Sequence, residues 1–185
     1  MKNLSAVFYF LIVVLFGTTQ VESADDAPAS VRMGSGAMTF DTVPGWGLRP
    51  DGNSALGSTH GGVAVDEAGN IYTSANAGVF VFSPEGAVVQ SYLGGDYTSL
   101  HDIEIRKEGD QEFVYGARNQ AAEGIKFNAH SGEVVLKLPL PKEAGLGKVK
   151  FSPTAITVAP NGDIYLSNGY ATNHIFKFDK NGRYV

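Results

Sequence analysis

The stretch TAITVAPNGDIYLSNGYATNHIFKFDKNGRYV, residues 154–185, decides the fold, because two earlier stretches repeat its plan. An alternating strand opens it, a polar turn at PNGD follows, and IYLS makes a second strand. A loop rich in Asn and Gly then leads into a third, IFKF. The stretches beginning at Gly61, GGVAVDEAGNIYTSANAGVFVFSPEGAVVQSY, and at His101, HDIEIRKEGDQEFVYGARNQAAEGIKFNAHSGEVVLKL, run through the same order and continue into a fourth strand. Val63, Ile103 and Ile156 take equivalent places, 40 and 53 residues apart. The longer interval absorbs PKEAGLGKVKFS, residues 141–152.

Period-two alternation with a turn signal about every ten residues predicts antiparallel sheet. No segment has an amphipathic-helix pattern. Four strands in about 40 residues is the size of one propeller blade. The fold class is therefore all-β: a partial β-propeller of about three four-stranded antiparallel blades, over 61–94, 101–140 and 153–185, the last incomplete. Propellers close with about 4–8 blades. The chain is thus expected to be a fragment of a longer protein, with assembly of copies as the alternative. Trp46 to Leu56 offers one further strand from a neighbouring unit.

Composition narrows the partners. The 185 residues hold 14 Lys plus Arg against 19 Asp plus Glu, a net charge of -5. Nucleic acid and anionic membrane surfaces would meet a field of the wrong sign. There is no Cys, which excludes disulfides and thiolate metal sites. At the start, MKNLSAVFYFLIVVLFGTTQVESADD has a positive Lys2, an apolar run from Ala6 to Phe16, and small residues at Val21 and Ser23 before Ala24. This reads as a signal peptide over 1–23, since a spanning helix needs roughly 20 apolar residues. The expected organisation is then a flexible lead-in over 24–45 and the propeller over 46–185, in a secreted or periplasmic protein with no stable membrane insertion after cleavage.

Connectivity places a candidate site. In an antiparallel meander the start of the innermost strand lies beside the end of the second. His101 precedes the innermost strand of the second unit. Tyr170 follows the second strand of the third unit, and Asn76 and Arg118 hold the corresponding places in the first and second. The 141–152 loop opens onto the same face. On residue type alone, Arg118 and Asn119 also read as solvated loop residues, and Tyr170 as a ring capping the axial cavity. Asp66, Glu67, Asp163 and Asp179 read as turn formers, and His130 and His174 as structural or exposed. His60 precedes Val63 by three residues, whereas His101 precedes Ile103 by two, which aims it differently.

At SPTAITVAPNGDIYLSNGYATNHIFKF the chain resembles the NHL-repeat six-bladed propellers, and most closely their peptidyl-α-hydroxyglycine α-amidating lyase (peptidylamidoglycolate lyase) branch. The resemblance covers roughly Gly61 to Val185. It implies a zinc held by three histidines that start innermost strands, one of them His101 and the others beyond Val185. It implies Tyr170 as the catalytic tyrosine. It also implies a structural calcium on the backbone carbonyls of Val63 and Ile103. The family's catalytic arginine falls on Asn76, which carries no charge. The implied reaction cleaves a peptidyl-α-hydroxyglycine to a peptide amide and glyoxylate, with zinc as Lewis acid. A phenol with an ordinary pKa near 10 needs a neighbouring cation to act as a base at neutral pH. The alternative is a non-catalytic propeller that binds a protein, peptide or glycan on its axial face. A lactonase-type propeller would want a carboxylate-rich axial site, and the inner-strand starts offer only Asp102.

Overall fold

The computed structural model describes residues 29–48, 56, 59 and 61–185, so the expected signal peptide and His60 lie outside the described residues. The chain divides into two compact units, Met1–Pro44 and Gly45–Val185. In the first, β1 (Arg32–Ser35) and β2 (Met38–Asp41) pair antiparallel. This hairpin lies within the expected flexible lead-in over 24–45. The Gly-rich composition concealed a hairpin whose two-residue loop has Gly36 at φ 59°, as such a turn requires. Arg32 and Asp41, opposite each other at its open end, form an ion pair at 2.8 Å.

The second unit is three antiparallel sheets in chain order. The first holds β3 (Val63–Val65), β4 (Ile71–Ala75), β5 (Gly78–Phe82) and β6 (Val88–Leu93). The second holds β7 (Leu100–Glu108), β8 (Gln111–Arg118), β9 (Glu123–Asn128) and β10 (Val134–Pro139). The third holds β11 (Ala155–Val158), β12 (Ile164–Ser167) and β13 (Ile175–Phe178). Tyr184 makes an isolated antiparallel bridge back to Phe178. Each sheet is a simple meander, and β7 packs beside β3 on one side and β11 on the other. Inner strands side by side, with sheets running outward from them, make this a partial β-propeller.

Two apolar layers hold the blades together. Between the first and second sheets lie Tyr72, Val79, Val81, Tyr92, Leu100, Ile103, Val114, Ile125 and Phe127. Tyr115, Ala117, Leu138, Ile156, Val158, Ile164, Leu166, Phe176 and Phe178 lie between the second and third. Strand β8 serves both layers: Val114 points into one and its neighbour Tyr115 into the other, as the two-residue period dictates. That double burial is why the second unit's strands carry apolar residues on both faces. Trp46 lies on the remaining side of the first sheet, with its ring 5.3 Å from that of Phe82 and its indole N–H on the carbonyl of Pro84 at 3.0 Å.

Candidate functional site

Register explains the site. In β7 Leu100 pairs with Arg118 and Asp102 with Ala117, so His101 is the extra residue of a β-bulge. A bulge re-aims side chains on either side of it. Leu100 and Ile103, three apart, both enter the core between the first two sheets, which unbroken alternation would forbid. His101 and Asp102 instead both turn toward β11. Asp102 Oδ2 accepts the Ile156 N–H at 3.0 Å, and Arg106 donates to the Val158 carbonyl at 2.9 Å. Ser99, just before the strand, has φ 62°, a conformation few non-glycine residues adopt.

The imidazole of His101 has both nitrogens engaged. Nδ1 lies 2.8 Å from the carbonyl of Thr154, and Nε2 lies 2.8 Å from the hydroxyl of Tyr170. A carbonyl only accepts, so Nδ1 carries the proton and Nε2 presents its lone pair to the phenol O–H. The two rings meet edge to face, centroids 4.9 Å apart at 88°. Tyr170 is 60% exposed, so the pair opens to solvent on its outer side. Its turn is closed by the N–H groups of Ala171 and Thr172 on the Asn168 carbonyl, at 3.0 and 2.9 Å.

Beside the pair is a cavity of about 50 Å³ whose polar lining is Thr59, Asn76, Ser99, His101, Asn119 and Gln120. It has room for a few waters, and none of the described residues lining it is Lys, Arg, Asp or Glu. Asn76 reaches it from the two-residue turn that joins β4 to β5. Arg118 does not, and it is no solvated loop residue. It ends β8 only 7% exposed and donates to the carbonyls of Thr98 and Gly95 at 3.2 and 2.9 Å. It also pairs with Asp96 at 3.2 Å and with Glu123. These partners sit in or beside the 3₁₀ turn Gly95–Tyr97 and at the start of β9, so the guanidinium is a structural clamp.

The remaining candidates separate cleanly. A Cβ placed on Gly62 would lie 3.0 Å from the Ile103 carbonyl oxygen and 2.6 Å from Asp102 Oδ1, so those two oxygens converge beside the Val63 end of β3. Asp66 Oδ1 accepts the Asn70 N–H at 2.7 Å, and Asp179 Oδ1 accepts those of Asn181 and Arg183 at 2.9 Å; both are turn formers. Asp163 and Glu67 pair with Lys177 and Lys107. His130 lies 3.4 Å from Glu112, and His174 Nδ1 lies 2.8 Å from the Thr172 hydroxyl. Among the described residues no three His, Asp or Glu side chains lie close enough together to hold a metal ion. His101 has the orientation of a metal-ligating imidazole, its Nδ1–H fixed by a carbonyl. A catalytic zinc takes three protein ligands, and His101 alone would supply one.

No family model matches the chain. It is 28% identical over 108 residues to the Caenorhabditis elegans protein named probable peptidyl-alpha-hydroxyglycine alpha-amidating lyase pgal-1, across 58% of this chain and 30% of that protein. The chain thus spans under a third of the length of the curated relative it matches. Among solved structures, hydrazine synthase of Kuenenia stuttgartiensis superposes on 67% of this chain and 35% of its own, with a TM-score of 0.50 and 16% identity. A Bacteroides fragilis protein described as exported superposes on 75% of this chain and 39% of its own, with a TM-score of 0.51 and 13% identity. At these identities the likeness is one of fold alone. No helix among the described residues is long and apolar enough to cross a membrane.

Proposed function

We propose that the chain belongs to an exported propeller of the peptidylamidoglycolate lyase kind, with NHL-type blades, in which Tyr170 handles a proton and His101 ligates zinc. The observation that carries this reading is that the two residues, from different sheets, meet at 2.8 Å between the Tyr170 hydroxyl and His101 Nε2; Nε2 has one lone pair, so zinc bound there would replace the phenol O–H as its partner. The 28% identity to an α-amidating lyase supports it. His101 fits the metal as one ligand, and the others would come from outside the described residues. When bound, zinc supplies Lewis-acid polarisation of the substrate's oxygens. In the cleavage the α-hydroxyl loses its proton, the C–N bond breaks and the nitrogen is protonated, which yields the peptide amide and glyoxylate. Tyr170 takes or returns that proton at its hydroxyl oxygen, and Thr154 holds the imidazole beside it through Nδ1. Calcium, where present, would be structural. The Ile103 carbonyl and Asp102 are oxygen donors of the kind it takes, two of the roughly six to eight it needs.

The test is elemental analysis and glyoxylate release by the full natural polypeptide on a peptidyl-α-hydroxyglycine. Bound zinc should fall in His101→Ala, and turnover should fall about 10²- to 10⁴-fold in Tyr170→Phe. A protein with neither zinc nor glyoxylate release contradicts the reading.

One observation favours a second reading. The described residues that line the cavity beside His101 carry no Lys, Arg, Asp or Glu, and Asn76 is among them, at the position where the resemblance puts the lyases' arginine. A non-catalytic propeller that binds a neutral peptide or glycan would present such a surface. It gains if His101→Ala and Tyr170→Phe leave ligand capture unchanged while changes in 141–152 abolish it.

A further inference from the structure

Asn168 is a polar residue with no solvent exposure, set in a turn. A buried carboxamide without partners would be costly, and this one has a full set. Its Oδ1 accepts the N–H of Ser152 at 2.5 Å. Its Nδ2 donates to the carbonyl of Lys150 and to the hydroxyl of Thr172, both at 2.9 Å. Its own N–H donates to the His174 carbonyl at 3.0 Å. One side chain therefore joins two segments, 150–152 and 168–174, and Tyr170 stands at the tip of the second. The first segment is itself held, because Phe151 packs edge-on against Phe176 with centroids 5.3 Å apart at 87°. A second anchor agrees. The Gly169 N–H donates to Thr154 Oγ1 at 3.2 Å, and a Cβ at Gly169 would lie only 2.5 Å from that oxygen. Thr154 is the same residue whose carbonyl fixes His101.

We propose that Asn168 is the positioning residue for Tyr170: through Ser152 and Lys150 it ties the end of the 141–152 loop to the 168–174 turn, through Thr172 it braces that turn, and both are needed to set the phenol against His101 Nε2. A ligand that displaces residues 150–152 therefore moves Tyr170. The functional half of this inference rests on Tyr170 as the proton-handling group. The structural half is read without turnover, so the two can fail separately.

The experiment records His101 ring ¹⁵N shifts and Tyr170 ring shifts in the chain and in Thr172→Val, Thr172→Ser and Asn168→Ala, with melting curves alongside. Thr172→Val removes one acceptor at near-constant volume and should stay folded. Its His101 Nε2 should move away from the hydrogen-bonded position and its Tyr170 ring signals toward those of a free tyrosine. Thr172→Ser, which keeps the hydroxyl, should restore both. Asn168→Ala should give a larger displacement and a lower melting temperature. If Asn168→Ala does not fold, the Thr172 pair decides. Folded Thr172→Val with His101 and Tyr170 signals unchanged overturns the proposal, whatever the activity. Loss of glyoxylate release without any change in these shifts counts against it as well, since positioning is then not what the substitution altered.

Discussion

Arg118 ends β8 with its guanidinium folded onto four acceptors: the carbonyls of Gly95 and Thr98 and the carboxylates of Asp96 and Glu123. Its side chain is 9% exposed, so truncation would take the donor from all four, although Lys137 still reaches Asp96 at 2.6 Å. Arg118→Ala should cost about 1–3 kcal/mol, the usual penalty for leaving buried acceptors without their donor, seen as a lower urea midpoint. It should do so without touching the His101–Tyr170 contact. The sequence placed Arg118 in register with Tyr170 but could not show its burial, because Asp96 lies 22 residues back and in another turn. His101 and Tyr170 were legible as neighbours for the opposite reason: meander connectivity alone brings a strand start and a second-strand end to one face. What connectivity does not encode is the bulge that turns His101 away from the core. Asn168 was hidden too, since an Asn in a turn reads as a dihedral requirement, and only the packing of Phe151 to Pro153 over it makes it a buried node.

Strand β7 is the element on which both ends of the blade depend. Its start carries His101 and Asp102, and its last residue, Glu108, links three strands. Glu108 accepts from Lys126 Nζ of β9 at 2.6 Å and from the hydroxyl of Tyr115 of β8. The Lys126 ammonium in turn lies 4.3 Å from the Phe113 ring centre. Burial alone would raise the Glu108 carboxyl, but Lys126 and Tyr115 together hold it below its ordinary 4.5. A depressed carboxylate stabilises the fold at pH values above its unfolded pKa, and that contribution is lost as pH falls through the lower folded value. Glu108→Gln should therefore melt below the native chain at neutral pH, and the gap should close as pH drops below about 4.5. A gap that stays constant to pH 3 would show that the ionised carboxylate is not what ties these strands. Legibility at this scale was uneven. Alternation exposed the blade strands, whereas the β1–β2 hairpin escaped because its strands are short and exposed throughout, with no buried face to impose a pattern.

Across the whole molecule, the repeat was the most readable feature, since three copies of one strand order leave few architectures open. The two intersheet layers explain why the copies stack: each sheet buries one face on its neighbour, and β8 is covered on both. The likeness of fold to two solved structures with 16% and 13% identity fits a plan that constrains pattern more than residue identity. Activity was less readable, because fold and function are separable and the site draws on residues 69 positions apart. The account stands on stacked sheets that bring those residues together. The direct test is a ¹³C-edited NOE spectrum of the native chain, with the His101 and Tyr170 rings assigned. Cross-peaks between the two rings, as a 4.9 Å edge-to-face contact requires, are the expected result. Assigned signals from both rings with no cross-peak between them would contradict it.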